Sequence, residues 1–257
     1  MKTLTRSTVL GITLGLIVLL TRAAAQTPQI RVLASNGVKA VLEELVPQCE
    51  RATGRRLTVQ CNSSASLKER VAAGEAFDVA IVTSDLIDSL IKEGKVAAAS
   101  RAGVARSGVG VGVRAGTAKP DIGTPDALKR MLLGAKAISY AQDGASRVYI
   151  TKMFDQLGIA EAMKSKTILE QGSVRSAGRV AKGDADLVMT LVSEILPAPG
   201  VELAGPFPAA VQSYVSFAAG ISTKATDPAA AKVLVGFLTG PGVAPTFKAK
   251  GMEARER

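Results

Sequence analysis

From Ile30 onward, strand-like and helix-like runs alternate with short polar loops between them, and this order restricts the fold more than any other feature of the sequence. Ile30 to Ala34 is a short apolar run. Val38 to Thr53 carries Val38, Val41, Leu42, Leu45, Val46 and Cys49 at helical spacing, and Gly54 stands where a helix C-cap belongs. Arg56 to Cys61 alternates as a strand, Ser66 to Ala73 reads as a helix ending at Gly74, Phe77 to Val82 as a buried strand, and Ser84 to Lys92 as a helix closed by Gly94. Such a βαβαβα order predicts a parallel sheet with helices on both faces.

The pattern resumes after Gly108-Val109-Gly110-Val111-Gly112-Val113, a stretch too glycine-rich for a well-packed strand interior but acceptable in a crossover between two lobes. Thr124-Pro125-Asp126 opens a helix to Leu133. The following units are a strand Ala137 to Tyr140, a helix Ser146 to Leu157, a strand Thr167 to Glu170, a helix Ser173 to Lys182 and a strand Asp186 to Thr190. Prolines 197, 199, 206 and 208 punctuate a return segment with strands Val201 to Ala204 and Val215 to Ile221. Asp227-Pro228 starts a helix closing at Gly240, a shorter helix runs from Pro241 to Lys250, and Glu253 to Arg257 reads as a frayed tail. No repeat of solenoid or propeller period is present, so two βα blocks with a returning C-terminal segment are the economical organisation.

Residues 1–25 resemble a secretory signal: basic Lys2 and Arg6, an apolar run from Val9 to Leu20, and small Ala23-Ala24-Ala25 before Gln26. A run of that length reaches about 18 Å as a helix, short of a bilayer core. The expected mature chain is therefore exported and soluble, and loss of Lys2, Arg6 and Arg22 lowers the net charge from +10 to +7. An anionic small ligand fits that surplus better than nucleic acid, because the basic residues are scattered and lack aromatic platforms. Cys49 and Cys61 would meet an oxidising compartment, and either a disulfide or two buried thiols satisfies the sequence.

The chain has no His and no Trp. Ser-His-Asp and Cys-His catalysis, His-ligated zinc and Trp-stacked ligands are thereby excluded. No Walker or nucleophile-elbow motif is present, and the alternating glycines at 108–112 lack the strand, turn and acidic residue of a dinucleotide site. Asp78, Asp85 and Asp88 suggest a carboxylate cluster, but capping and solvation of the helix from Ser84 explain them more simply. In an open α/β sheet, ligands gather at the carboxyl ends of strands. Five loops there are short and polar: Ser35-Asn36-Gly37, Asn62 to Ser66, Thr83-Ser84-Asp85, Gln142 to Arg147, and Gly172 to Arg175. Their hydroxyls and helix N-termini suit an anion, although Ser, Thr and Asn are also ordinary N-caps.

The runs Ile30-Arg31-Val32-Leu33-Ala34-Ser35-Asn36-Gly37, Asn62-Ser63-Ser64-Ala65-Ser66-Leu67 and Gly74-Glu75-Ala76-Phe77-Asp78-Val79-Ala80-Ile81 resemble the molybdate-binding (ModA-like) periplasmic proteins of ABC importers. The similarity extends through Tyr149 to Gly158, Ser173-Val174-Arg175 and Leu238-Thr239-Gly240-Pro241. It implies a type II periplasmic-binding-protein fold: two α/β lobes joined by crossing strands and hinged over a ligand cleft. The expected division is 26–108 and 210–257 for the first lobe and 109–209 for the second. It also implies a monomer that captures a small oxyanion of the molybdate or tungstate type and delivers it to a membrane permease. No cofactor, metal centre or chemistry on the ligand is implied.

Carried over by residue, the family's contacts fall on Gly37, where a serine is usual, on Ser63 or Ser64, near Ser146, on Val174, and near Leu191, where a tyrosine hydroxyl is usual. Asn36 accompanies Gly37 in the first loop. Gly37 and Leu191 thus lack two side-chain donors, each worth on the order of 1.5–3 kcal/mol toward a charged ligand. Arg147 and Arg175 add guanidinium groups suited to carboxylate or phosphate. The sequence therefore leaves open molybdate, another small anion such as a carboxylate, or a ligand-sensing role in the envelope. The arginines themselves could instead face solvent or pair across the cleft.

Overall fold

A computed structural model describes residues 29–254; the signal-like segment 1–25 and the last three residues of the tail lie outside them. The first half runs β1 (Gln29–Ser35), α1 (Lys39–Thr53), β2 (Arg56–Asn62), α2 (Ser64–Ala72), β3 (Val79–Thr83) and α3 (Ser84–Lys92). β1 pairs in parallel with β2 and with β3, as the βαβ order predicts. Gly54 caps α1 in the left-handed conformation (φ 63°), which admits glycine at no steric cost. The helix α2 starts two residues earlier than its apolar spacing suggests, because the Ser63 hydroxyl accepts the Ser66 N–H at 3.2 Å and caps it.

The second half follows β4 (Ala102–Arg114) with α4 (Pro125–Gly134), β5 (Ile138–Ala141), α5 (Arg147–Gln156), α6 (Ala160–Lys164), β6 (Thr167–Glu170), α7 (Ser173–Lys182), β7 (Leu187–Leu191), α8 (Val192–Ile195) and β8 (Val201–Pro206). The chain then returns through β9 (Tyr214–Ile221), α9 (Pro228–Leu238), α10 (Ala244–Ala249) and β10 (Glu253–Ala254). Thr124 and Asp227 cap α4 and α9 by accepting Ala127 and Ala230 N–H, each ahead of a proline in the first turn. The sheet order is β2-β1-β3-β9-β4-β7-β5-β6, with β8 and β10 also on β4.

β4 corrects the reading of the glycine-rich stretch. Gly108 to Val113 lies inside a thirteen-residue strand and is almost wholly buried, with β7 and β8 on its two edges. A Cβ at Gly112 would stand 2.8 Å from both Val188 Cγ1 and Val201 Cγ1, and one at Gly110 would stand 2.9 Å from the Gly205 carbonyl. Glycine is used here to let neighbouring chains approach, so the segment is tightly packed. It also crosses between halves: β4 pairs with β9 through Gly108 and with β7 from Val109. One apolar cluster follows it, joining Ile30, Val32 and Leu45 to Val111, Leu128 and Met189.

Two further expectations change. Asp78 does not cap α3; it is 1% exposed and accepts from Arg31 N, Nε and Nη2 and from Thr226 N and Oγ1. It ties β1 to the turn before α9, while Asp88 pairs with Arg101 on the surface. Glu253 and Ala254 are not frayed but pair with Arg106 and Ala105 of β4. Cys49 is buried, Cys61 half-buried, and both are free thiols. Among the described residues no helix is long and apolar enough to cross a membrane, and no group of acidic and cysteine side chains could hold a metal ion.

Candidate functional site

The carboxyl ends of β2, β5 and β6 bring their loops to one opening between the lobes, and the loops after β1 and β7 border a groove beside it. The opening, about 530 Å³, is lined by Ser63, Ser66 and Glu69 from the first lobe and by Asp143, Arg147 and Arg175 from the second, among others. Ser63 lines the opening while its Oγ accepts the Ser66 N–H at the α2 cap. Gly172 precedes α7 at φ 78°, and its N–H donates to Asp143 Oδ1 at 2.8 Å, tying two second-lobe loops together. That φ is ordinary only for glycine. The first turn of α7, and with it the positive end of the helix dipole, stands at the cleft.

The two arginines stand on the first turns of α5 and α7. Arg147 Nη1 donates to the Gln142 carbonyl at 2.9 Å, which leaves its other guanidinium donors available. Both side chains are exposed, and among the described residues neither Arg147 nor Arg175 forms an ion pair. Of the alternatives open from sequence, pairing across the cleft is thus not what the structure contains. Two guanidinium groups without ion-pair partners among the described residues thus line one opening, and the fork shape of such groups matches a planar anion.

The other expected contacts are placed differently. Ser64 is buried, and its Oγ accepts from Thr83 N at 3.4 Å, so it braces the loop after β3. Ser146 is buried at the start of α5. Asn36 and Val174 line a neighbouring groove of about 520 Å³ between α1 and α7. Gly37 and Leu191 face each other in the interior: a Cβ on Gly37 would lie 3.0 Å from Leu191 Cδ1 and 2.4 Å from Phe217 Cζ. Leu191 and Phe217 are each 1% exposed. The two residues that depart from the molybdate pattern are therefore in contact, and apolar packing with Phe217 fills the space between them.

Ser193 and Glu194, which the sequence reading passed over, also border this groove. They follow the carboxyl end of β7, so the rule that selected the other loops also points to this one. Ser193 Oγ is buried without a hydrogen-bond partner among the described residues. Burial pushes the Glu194 carboxyl above the ordinary carboxylate range, against hydrogen bonds from the Thr190 and Ser173 hydroxyls and the Leu191 backbone; nearby Asp143 adds to the rise.

Two α/β halves joined by a shared strand, with polar loops and helix N-termini beside a cleft, make the two-lobed architecture of periplasmic binding proteins. The chain belongs to the bacterial extracellular solute-binding protein family, whose pattern matches residues 30–253. It is similar to an aconitate isomerase from Pseudomonas sp, 29% identical over 237 residues that cover 90% of each chain. It is also similar to the molybdate-binding protein ModA of Azotobacter vinelandii, 28% identical over 237 residues covering 89% of this chain and 91% of that one. The solved periplasmic molybdate-binding protein of Azotobacter vinelandii superposes with a TM-score of 0.75 at 19% identity, covering 88% of this chain and 100% of that chain.

Proposed function

We propose that this chain is the substrate-binding component of an ABC importer, capturing a small carboxylate-bearing anion between its lobes and presenting the closed form to a membrane permease. We place the first lobe at 26–108 and 210–257 and the second at 109–209, supported by the change in β4 pairing from β9 to β7 after Gly108. The observation that carries the ligand class is the exchange of donors. Hydroxyls expected at Gly37 and Leu191 are replaced by packing against Phe217, while Arg147 and Arg175 stand unpaired at the cleft. The monomeric state and the signal at 1–25 belong to the same reading. Titration calorimetry of the mature chain with tricarballylate and molybdate tests it. Carboxylate binding that weakens about 10- to 100-fold in Arg147→Ala supports the reading. Molybdate binding unchanged by that substitution sinks it.

A second reading has one specific support, the similarity to an aconitate isomerase across nearly the whole chain. Moving a double bond within an unsaturated tricarboxylate needs a group that takes a proton from carbon and returns it. Glu194, half-buried beside the groove with its carboxyl shifted upward, is the candidate on this chain. Proton NMR of cis-aconitate in D2O with the mature protein separates the two readings. A receptor leaves the spectrum unchanged, whereas an isomerase produces the trans isomer at a rate that collapses in Glu194→Gln.

A further inference from the structure

The groove between α1 and α7 does not suit a tetrahedral oxyanion, which offers four oxygens and no carbon. Its walls carry Ala40 from the first lobe and Val174, Ala177 and Pro197 from the second, with Lys39 at the rim. Val174 leaves 73% of its surface exposed, the largest exposure among the exposed large apolar residues, and it directly precedes Arg175 of the central opening. A volume of about 520 Å³ is within the ordinary range for small organic ligands. At its inner border Ser193 Oγ, in a residue only 2% exposed, lacks any partner among the described residues. Buried hydroxyls are normally paired, so an orphan bordering an open groove marks a position where a ligand atom can complete the bond.

We propose that the groove is a second compartment of the ligand site, so that the ligand is an organic anion occupying both compartments. One carboxylate engages Arg147 and Arg175, a short carbon skeleton lies over Val174, and a polar terminus pairs with Ser193. The inference rests on the carboxylate reading above and extends it from a charge to a length and shape. It also gives Val174 a role that its backbone N–H alone would not: the side chain covers the ligand's carbon atoms. Lys39, already near Glu43 at 3.7 Å, is available to a second carboxylate at the rim.

The test is a titration series of acetate, succinate, glutarate and tricarballylate against the mature wild type, Ser193→Ala and Val174→Glu. The second substitution sits on an exposed position, and an unchanged melt confirms that folding is intact. Affinity is expected to rise from acetate to the longer acids. Ser193→Ala should weaken the longer acids about three- to tenfold while leaving acetate unchanged, the range of one neutral hydrogen bond. Val174→Glu should weaken them further through charge repulsion and loss of apolar cover. Equal affinity for acetate and the longer acids, with neither substitution selective for length, overturns the second compartment while the carboxylate reading stands. Absence of binding by every carboxylate overturns both.

Discussion

Replacing Gly37 by serine supplies the residue that the molybdate-type resemblance implies at this position, and the structure predicts that it damages this protein. The new Cβ would lie 2.4 Å from Phe217 Cζ and 3.0 Å from Leu191 Cδ1, against about 3.4 Å or more for ordinary contact. Phe217 is 1% exposed and packed within the main apolar cluster. Overpacking of this kind costs about 1–3 kcal/mol, and an added buried hydroxyl without a partner costs about 1–3 kcal/mol more. For a chain of this size, a total of about 2–6 kcal/mol lowers the melting temperature by roughly 4–24 °C. Calorimetric melts of the mature protein measure the loss directly. A double-mutant cycle with Phe217→Leu should show coupling, the serine costing less where the ring is absent. A Gly37→Ser protein that melts with the parent and acquires molybdate binding would refute the view that apolar packing has closed this position.

The buried clamp at Asp78 sets a pH dependence. Burial alone would raise its pKa, but hydrogen bonds from Arg31 and Thr226 overcome that and hold the carboxyl at about 2, below its ordinary 3.8. Its contribution is therefore complete above about pH 4 and lost as pH falls toward 2. Asp78→Asn should cost about 3 kcal/mol at pH 7 in denaturant titrations, with the gap closing across that acid window; a gap independent of pH would contradict the clamp. Burial raises the Cys49 and Cys61 thiols to about 11, so both should react slowly with alkylating reagents at pH 8 and fully after unfolding without reductant. Recovery of a Cys49–Cys61 disulfide by mass spectrometry would contradict that state. Thr124→Ala should remove the α4 cap and lower stability by about 1 kcal/mol, and an unchanged melt would show the cap to be idle.

Local signals survived into the fold where a residue's own neighbours decide its conformation. α7 keeps both expected ends, since Gly172 and Gly183 take the positive φ that stops a helix from extending. Thr124 and Asp227 likewise act within three residues of themselves. The failures involve distant partners. Gly110 and Gly112 look like weak strand residues until Gly205, Val188 and Val201 are seen in the space beside them. Asp78 looks like a cap until Thr226 arrives from the far end of the chain.

The site divides in the same way. Five loops at strand ends could be chosen because the βα order fixes the end of the sheet they occupy; Ser63, Arg147 and Arg175 line one opening, whereas Thr83, Ser84 and Asp85 line another cavity. The absence of hydroxyls at Gly37 and Leu191 was visible in the sequence. That Phe217 fills the gap was not, because a residue on the returning strand β9 supplies the ring. Ser193 and Glu194 were legible by position after β7, but their burial and the groove beside them depend on α1 from the other lobe.

Titration calorimetry of ligand-stripped mature protein with molybdate, tungstate, sulfate and the carboxylate series under identical conditions decides between a carboxylate and a tetrahedral oxyanion. Saturable binding of a di- or tricarboxylate is expected, weakened by loss of either Arg147 or Arg175, with no comparable heat from the oxyanions. Tight molybdate or tungstate binding that ignores both arginines would contradict a carboxylate site.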